Sequence, residues 1–319
     1  MNKNISSAPA SGQPEAKKSV SGKLKGNLYM FASKTFSGLN QNALRYLLPT
    51  WMGAYTGVLL RLGFGSLFFW VWGLFTGKKS PKASAKDMIS LFLVGVVFVF
   101  GYMFALLSGL SYTTPISSSI FLSLQPAFVY IICLCIRTDK LSMGRVAGIV
   151  IGFAGALICV LTQKGSEVAS DPLKGNLFCL ASAILFASYL VIEKKYLRRL
   201  SSATVSKWSF LGGAVAAGVV VLITGWDARV LTQNIFSAPM LALLFVLIFP
   251  TSISYLLQDF ALKLLPATVV ALYSDLILIV SAVASYILGQ DKFSWWQILA
   301  IILMLVSVYL VENAERKTR

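Results

Sequence analysis

Stretches of about 20 mostly apolar residues recur along almost the whole chain, and they constrain its fold more than any other feature. A bilayer hydrocarbon core about 30 Å thick needs about 20 such residues for one helical crossing. Ten segments meet this requirement, at residues 28–48, 53–75, 88–108, 115–136, 145–162, 175–193, 206–224, 239–259, 266–288 and 295–312. The chain has 319 residues, so only short connections remain. The sequence therefore predicts an all-α integral membrane protein with ten transmembrane helices.

Basic residues outnumber acidic ones by 28 to 12, and their positions orient the predicted bundle. Lys and Arg are concentrated on the cytoplasmic side of membrane proteins. With a cytoplasmic amino terminus, 21 of the 28 fall in cytoplasmic segments and five in external ones. We therefore expect a multi-pass protein of the cytoplasmic (inner) membrane with both termini cytoplasmic. Residues 1–25, rich in Ser, Ala and Lys, are predicted to be a disordered cytoplasmic tail.

Three classes of function are excluded by composition. The chain has no histidine, which excludes His-dependent catalytic triads and His-liganded metal sites. An intramembrane aspartyl protease needs two facing aspartates, whereas only Asp275 is predicted to lie deep in a crossing. The basic charge is explained by orientation in the lipid bilayer, so we expect no nucleic-acid partner. We also expect no enzyme activity, no metal site and no cofactor.

Two short motifs recur at nearly the same offset, which indicates an internal repeat. Gly-Asn-Leu-Tyr at 26–29 recurs as Gly-Asn-Leu-Phe at 175–178, an offset of 149 residues. Asp-Lys-Leu-Ser at 139–142 recurs as Asp-Lys-Phe-Ser at 291–294, an offset of 152 residues. The first motif opens helices 1 and 6, and the second joins helices 4 and 5 and helices 9 and 10. Each motif therefore keeps its place in a five-helix unit.

The two five-helix repeats are predicted at 26–163 and 172–313. Because five is odd, the second repeat enters the membrane from the opposite side, so the repeats are inverted. Inverted repeats are common in secondary transporters, which bind their substrate near the membrane midplane and alternate its access between the two sides. Channels can also be built from inverted repeats, so this pattern leaves both a carrier and a channel open.

Motifs in both repeats resemble a known family. The first repeat has Leu-Ser-Tyr-Thr at 110–113, Ser-Ser-Ser at 117–119 and Leu-Gln-Pro at 124–126. This run is similar to the end of helix 3 and to helix 4 of EamA-type drug/metabolite transporters, in which a Tyr-Thr pair precedes a small-residue helix with a mid-membrane proline. The second repeat has a similar run from 261 to 272, and Arg61 fits the arginine common in the family's second helix.

The chain departs from the family pattern at a few positions. Asp139 and Asp291 occupy the turn where the family usually has Glu, and Leu278 stands where the second repeat usually has a proline. The resemblance spans about residues 26–312. It implies a ten-helix secondary transporter with a small-molecule substrate, often an exporter of amino acids or other small metabolites.

Three charged side chains are predicted to lie deep in crossings. They are Lys34, Arg61 and Asp275, and each costs about 2.5–3.5 kcal/mol on insertion scales. None has a charged counterpart in the other repeat, since Lys34 corresponds to Ala183 and Asp275 to Ser123. A charge needed only for packing would be expected in both repeats. We therefore favour a functional role for the three over a structural one.

The first predicted helix is the most polar of the ten. Asn27, Lys34 and Gln41 are seven residues apart and share one face, so this helix is expected to line a water-accessible cavity. On helix 4, the Gln125 amide lies beside Pro126, which interrupts the backbone hydrogen bonds. The predicted substrate-binding residues are Lys34, Gln41, Arg61, Gln125 and Asp275. Predicted cavity-lining residues are Asn27, Asn40, Tyr102, Ser123, Tyr255 and Gln258.

These charges suggest how a substrate binds. A zwitterionic amino acid would place its carboxylate against Lys34 or Arg61 and its ammonium against Asp275. The net charge of the three also suits an anionic metabolite such as a sugar phosphate, so both classes stay open. If transport is coupled to protons, Asp275 is the expected proton acceptor. A passive channel or facilitator is the alternative to a carrier.

A small-residue ridge on the fifth predicted helix permits close helix packing. Gly144, Gly148 and Gly152 recur every four residues and lie on one face. Such a ridge fits packing within one chain, and it also fits a homodimer interface.

Overall fold

Ten helical units account for nearly all of the described chain. The computed structural model describes residues 13–76, 83–162, 169–292 and 294–318. The units are α1 Gln13–Leu47, α2 Ala54–Thr76, α3 Ala85–Tyr112, α4 Pro115–Cys135, α5 Met143–Thr162, α6 Pro172–Leu197, α7 Ser202–Thr224, α8 Ala238–Leu264, α9 Ala267–Leu272 with Ser274–Ile287, and α10 Trp295–Thr318. Each predicted crossing is helical, which confirms the all-α membrane fold.

Seven of these units, α2–α4 and α6–α9, are long and apolar enough to cross a membrane. The apolar parts of α5 and α10 are shorter, at Met143–Cys159 and Trp295–Ser307. The first helix begins at Gln13, so residues 13–25, which the sequence assigns to a disordered tail, are helical in the structure. Residues 1–12 of that predicted tail lie outside the described residues.

One end of the bundle is identified by hydrogen bonds between chain segments predicted to be external. Arg45 Nη1, at the end of α1, donates to the carbonyl oxygen of Leu110 at 3.0 Å. The amide of Asp171, just before α6, donates to the carbonyl oxygen of Tyr112 at 3.3 Å. The end of α1 and the start of α6 therefore lie at the same end of the bundle. The two helices run in opposite directions, so the repeats are inverted.

The other end, here named the basic end, joins segments predicted to be cytoplasmic. Arg199, after α6, forms an ion pair of 2.5 Å with Asp87 at the start of α3. Lys194 Nζ, in the last turn of α6, donates to the carbonyl oxygen of Leu265 after α8 at 2.6 Å. Successive helices thus alternate in direction, as the ten predicted crossings require.

Equivalent residues of the two repeats make equivalent contacts. A Cβ atom added to Gly26 would lie 2.8 Å from Leu265 Cγ, and one added to Gly175 would lie 2.7 Å from Thr113 Cβ. Gly175 is 149 residues after Gly26, and Leu265 is 152 residues after Thr113, so the same helix-to-helix approach occurs twice. The internal repeat read from the motifs is thus present in the packing.

Irregular helix segments also come in pairs. A π-helical segment interrupts α3 at Gly95–Val99 and α8 at Leu247–Ile253. Single wide turns of this kind often occur at functional sites. The helix also breaks in α4 after Leu122 and in α9 at Tyr273. The first break is followed by Pro126, but the second occurs without a proline.

The second break is stabilised by a side chain. Ser274 Oγ shares its one proton between the carbonyl oxygen of Ala271, at 2.6 Å, and Gln125 Oε1, at 2.8 Å. Gln125 directly follows the break in α4, and Ser274 directly follows the break in α9, so this bond joins the two breaks. The first half of each broken helix packs against the second half of the other. The helices α4 and α9 therefore cross at their breaks.

One glycine of the α5 ridge packs against another helix of the same chain. A Cβ atom added to Gly152 would lie 2.7 Å from Ser307 Oγ of α10. This glycine therefore permits the close packing of α5 against α10. The homodimer suggested by the ridge stays a prediction.

The two equivalent aspartates between helices have different surroundings. Asp139 Oδ2 accepts a hydrogen bond of 2.6 Å from Arg145 Nη1, whereas Asp291 Oδ1 accepts one of 3.1 Å from Gln297. Burial raises the pKa of the Asp291 carboxyl above its ordinary value, and hydrogen bonds, including that from Gln297, oppose the rise. The aspartate of the repeated motif is therefore bound by a cationic side chain in the first turn and by a neutral amide in the second.

Replacing Arg145 with alanine is expected to destabilise the protein by about 3 kcal/mol, the range for breaking a buried ion pair. The Arg145 side chain is 5% exposed, and its guanidinium lies 4.8 Å from the centre of the Tyr130 ring. Lys140→Ala is the matched control, because Lys140 is an exposed basic residue of the same turn. Thermal unfolding of both variants in detergent tests this, and equal melting temperatures would contradict it.

Candidate substrate cavity

A cavity of about 60 Å³ lies between α1, α2, α3, α4, α6 and α8, with one residue from α9. This is less than the roughly 300–1,000 Å³ of most small-molecule pockets, so the cavity must widen to hold a substrate. Eight of the residues predicted from the sequence line it: Lys34, Asn40, Gln41, Arg61, Tyr102, Gln125, Tyr255 and Gln258. The structure thus brings together side chains that are up to 224 positions apart in the chain.

Three predicted residues lie elsewhere. Asn27 is exposed towards the basic end, two helical turns from Lys34. Ser123 is buried and donates to the carbonyl oxygen of Ser119 at 3.0 Å within its own helix. The residue of α9 that lines the cavity is Ile277, two positions after Asp275, so Asp275 lies on another face of the helix.

Lys34 is held in the cavity wall by neutral groups. Its side chain is buried, and Nζ donates to Gln258 Oε1 at 3.1 Å. The ammonium also lies 5.2 Å from the centre of the Phe186 ring, within the range of a cation–π contact. Neither Lys34 nor any other residue lining the cavity forms an ion pair within the described part of the chain.

Arg61 is oriented by the π-helical segment of α8. Its Nε donates to Thr251 Oγ1 at 2.9 Å, and Thr251 lies within Leu247–Ile253. Arg61 is buried, and its Nη1 has no acceptor among the described residues. A buried donor without a partner is costly unless a ligand or water supplies an acceptor. Arg61 therefore has hydrogen-bonding capacity left for a substrate.

An unpaired acceptor lies in the same cavity. Asn40 is buried, and its Oδ1 has no donor among the described residues. The neighbouring Gln41 is already engaged, since its Oε1 accepts from Ser118 Oγ at 3.2 Å. The cavity thus combines an unused cationic donor on Arg61 with an unused acceptor on Asn40.

Hydroxyl groups join the helices that surround the cavity. The phenol groups of Tyr102 on α3 and Tyr255 on α8 are hydrogen-bonded to each other. Ser33 Oγ on α1 donates to the carbonyl oxygen of Ser254 at 2.8 Å, and Ser182 Oγ on α6 donates to that of Tyr102 at 2.8 Å. These bonds fix α1, α3, α6 and α8 relative to one another across the two repeats.

Two buried acidic residues were not identified from the sequence. Glu193 on α6 and Asp259 on α8 are 1% and 0% exposed, so Asp275 is not the only deep carboxyl group. Each is the last residue of a crossing predicted from the sequence, a position at which a charged side chain ordinarily lies at the membrane interface. The helices continue to Leu197 and Leu264, which places the two carboxyl groups inside the bundle.

The cavity has the chemistry of a binding site. Its charged side chains are Lys34 and Arg61, and the residues lining it include no acidic side chain. In the part of the chain that the structure describes, no three His, Cys, Asp or Glu side chains come together to hold a metal ion. Amides and hydroxyls supply the remaining polar contacts. The arrangement can hold a small polar molecule that carries an anionic group.

Comparison with known proteins identifies the family. The model of the EamA-like transporter family matches residues 24–161 and 173–312. The chain is 23% identical to the uncharacterized transporter YyaM of Bacillus subtilis (strain 168), over 91% of this chain and 95% of YyaM. It is 22% identical to the WAT1-related protein At5g07050 of Arabidopsis thaliana, over 76% of this chain and 68% of that protein.

A solved crystal structure has the same fold. It superimposes with a TM-score of 0.66 at 17% sequence identity, and the alignment covers 94% of this chain and 99% of the other. The family model matches both five-helix repeats, and the relatives named above are described as transporters or as WAT1-related. The chain therefore belongs to the EamA-like transporter family and is a membrane transporter.

Proposed function

We propose that this protein is a secondary active exporter of small polar metabolites that carry a carboxylate, with amino acids as the first candidates. The main support for this proposal is that two groups in one cavity lack a hydrogen-bond partner: the Nη1 donor of Arg61 and the Oδ1 acceptor of Asn40. A carboxylate satisfies the first and an ammonium satisfies the second. The inverted repeats around the cavity support alternating access.

This binding mode differs from the one expected from the sequence. Asp275 is not part of the cavity wall, so the ammonium group is assigned to Asn40 and the hydroxyls of Tyr102 and Tyr255. The carboxylate is assigned to Arg61, with Lys34 as the second cation. Hydrogen bonds to charged groups contribute about 1.5–3 kcal/mol each, which is enough to select such a substrate.

Anionic metabolites such as sugar phosphates are the second candidate. The cavity holds two cationic side chains and no acidic one among the described residues that line it, a charge that suits a substrate with two negative charges. A substrate of this class would bind Lys34 and Arg61 together and would leave Asn40 without an ionic partner. The Asn40 contact therefore distinguishes the two classes.

Counterflow into proteoliposomes tests the proposed function. Vesicles loaded with one unlabelled amino acid or with glucose 6-phosphate are diluted into the labelled compound. We expect transient accumulation with amino acids, because a carrier exchanges its substrate. Accumulation only with glucose 6-phosphate would favour the second candidate. Flux without counterflow would indicate a channel.

Export and orientation need a cellular measurement. We propose that the basic end faces the cytoplasm, because Lys and Arg favour that side. Expression of an exporter should protect cells against toxic amino-acid analogues, whereas greater sensitivity would indicate uptake. Reporter fusions at both termini test the proposed location in the cytoplasmic membrane.

Replacing Asn40 with leucine is expected to raise KM for amino acids about tenfold, the loss of one hydrogen bond to a charged group. The KM for glucose 6-phosphate should be unchanged. Ser123→Ala is the control, because Ser123 is a buried polar residue outside the cavity. Equal KM values for wild type and Asn40→Leu would refute the assignment of the ammonium group.

A further inference from the structure

Two buried carboxyl groups meet between the cavity and the basic end. Glu193 projects from α6 and Asp259 from α8, and the two side chains are close enough to interact electrostatically. Tyr189 donates to Glu193 Oε1, and Ser206 Oγ of α7 donates to Asp259 Oδ2 at 2.5 Å. The two remaining oxygens, Glu193 Oε2 and Asp259 Oδ1, have no donor among the described residues.

These contacts require a proton. Two carboxylates in contact in a dry interior repel each other, so only one of them is ionised. A proton on either of the free oxygens, Glu193 Oε2 or Asp259 Oδ1, gives the pair its missing donor. No cation takes the place of this proton, since no described Lys or Arg side chain forms an ion pair with Glu193 or Asp259. The pair therefore holds one proton and carries one negative charge.

The other polar groups around the pair come from four helices. They are Lys34 on α1, Tyr102 on α3, Tyr189 on α6, and Tyr255, Gln258 and Lys263 on α8. Lys34 is the nearest cation on the cavity side and has a favourable electrostatic interaction with Glu193. Lys263, an exposed residue one helical turn after Asp259, is the nearest on the side of the basic end.

The pair is also linked to the substrate cavity. Gln258 precedes Asp259 in the chain, lines the cavity and accepts the hydrogen bond from Lys34. The negative charge of the pair balances the positive charge of Lys34. Binding of a further proton removes that balance and changes the affinity of the cavity for a charged substrate group. By linkage, substrate binding changes proton affinity by the same factor.

We infer that Glu193 and Asp259 together form the binding site for a coupling proton. This inference rests on the proposed function and replaces Asp275 as the expected proton acceptor. The pair lies between Lys263, towards the basic end, and Lys34 in the cavity wall. A proton enters from water at one membrane face, is held by the two carboxyl oxygens, and leaves to the other face after the access change.

Infrared spectroscopy of the protein in lipid vesicles tests proton binding without any substrate. A protonated buried carboxyl group has a carbonyl stretch that shifts on exchange into D₂O. We expect a band at neutral pH that shifts or weakens in both Glu193→Gln and Asp259→Asn, because each variant removes one of the two carboxyl groups that share the proton. Asp275→Asn is the control, and it should keep this band. A band unchanged in both pair variants overturns the inference.

Transport under an imposed pH gradient tests coupling. The probe is a radiolabelled mixture of the twenty amino acids in proteoliposomes. Wild type and Asp275→Asn should respond to the gradient, whereas Glu193→Gln and Asp259→Asn should keep counterflow but lose the gradient response by about tenfold or more. Gradient responses that survive in both pair variants, or a wild type that exchanges amino acids without responding to the gradient, would overturn the inference.

The two proposals fail in different ways. A wild type without counterflow of any amino acid overturns the proposed substrate class, while the infrared band still decides whether the pair holds a proton. If one pair variant does not fold, as judged by its melting temperature, the other variant gives the same comparison, because each removes one of the two carboxyl groups.

Discussion

Arg61→Gln is expected to reduce kcat/KM for carboxylate substrates about 100-fold. Arg61 is 2% exposed, and its Nη1 is an unused donor in the cavity. Loss of one partner from a buried charged contact costs about 2–5 kcal/mol, and each 1.4 kcal/mol is a factor of ten. Uptake by purified protein in proteoliposomes measures the effect.

Two further variants show whether charge or geometry is responsible. Arg61→Lys keeps the charge but lacks the Nε–H that Arg61 donates to Thr251, so we expect an intermediate loss of about tenfold. Arg229→Gln is the matched control, because Arg229 is an exposed arginine between α7 and α8. Transport by Arg61→Gln at the wild-type rate would remove Arg61 from the binding site.

Gly212→Ala is expected to destabilise the bundle by about 3 kcal/mol or more. A Cβ atom at this position would lie 2.0 Å from the carbonyl oxygen of Phe92, and one at Gly95 would lie 1.9 Å from that of Ser209. Backbone atoms cannot move aside as a flexible side chain can, so α3 and α7 would have to separate. The reason is steric, and Gly95→Ala should have a similar effect.

The control for these two variants is Gly63→Ala. Gly63 also lies inside a membrane helix, but a Cβ atom there would meet no other atom within 4 Å. We expect wild-type stability for this variant, since alanine is the better helix former. Thermal unfolding and size-exclusion profiles in detergent measure the difference. A folded, stable Gly212→Ala protein would show that the approach of α3 and α7 is looser than described.

The crossings and the repeat could be predicted from the sequence because both depend on local properties. The thickness of the bilayer fixes the length of an apolar segment, and equivalent positions such as Gly26 and Gly175 keep their identity. The start of α1 could not be predicted in this way. Residues 13–25 are polar and helical, so apolar length gives no signal for them.

The candidate site was predicted where a polar residue interrupts an apolar helix near its middle. Lys34 and Arg61 are such cases, and both line the cavity. Helix periodicity cannot place Asp275, because α9 breaks at Tyr273. Glu193 and Asp259 were missed because their depth depends on where α6 and α8 end, and packing against other helices decides that.

The hydrogen bond between Gln125 and Ser274 has a consequence for the transport cycle. Each residue follows the break in its own helix, and α4 and α9 are equivalent helices of the inverted repeats, so the bond lies close to the pseudo-twofold axis. In alternating access each repeat takes up the conformation that the other had before. Residues far from the axis then change their contacts, whereas residues on the axis keep theirs. In the proposed alternating-access cycle we therefore expect the crossing of α4 and α9 to act as a fulcrum, about which the rest of the bundle tilts while this bond stays closed.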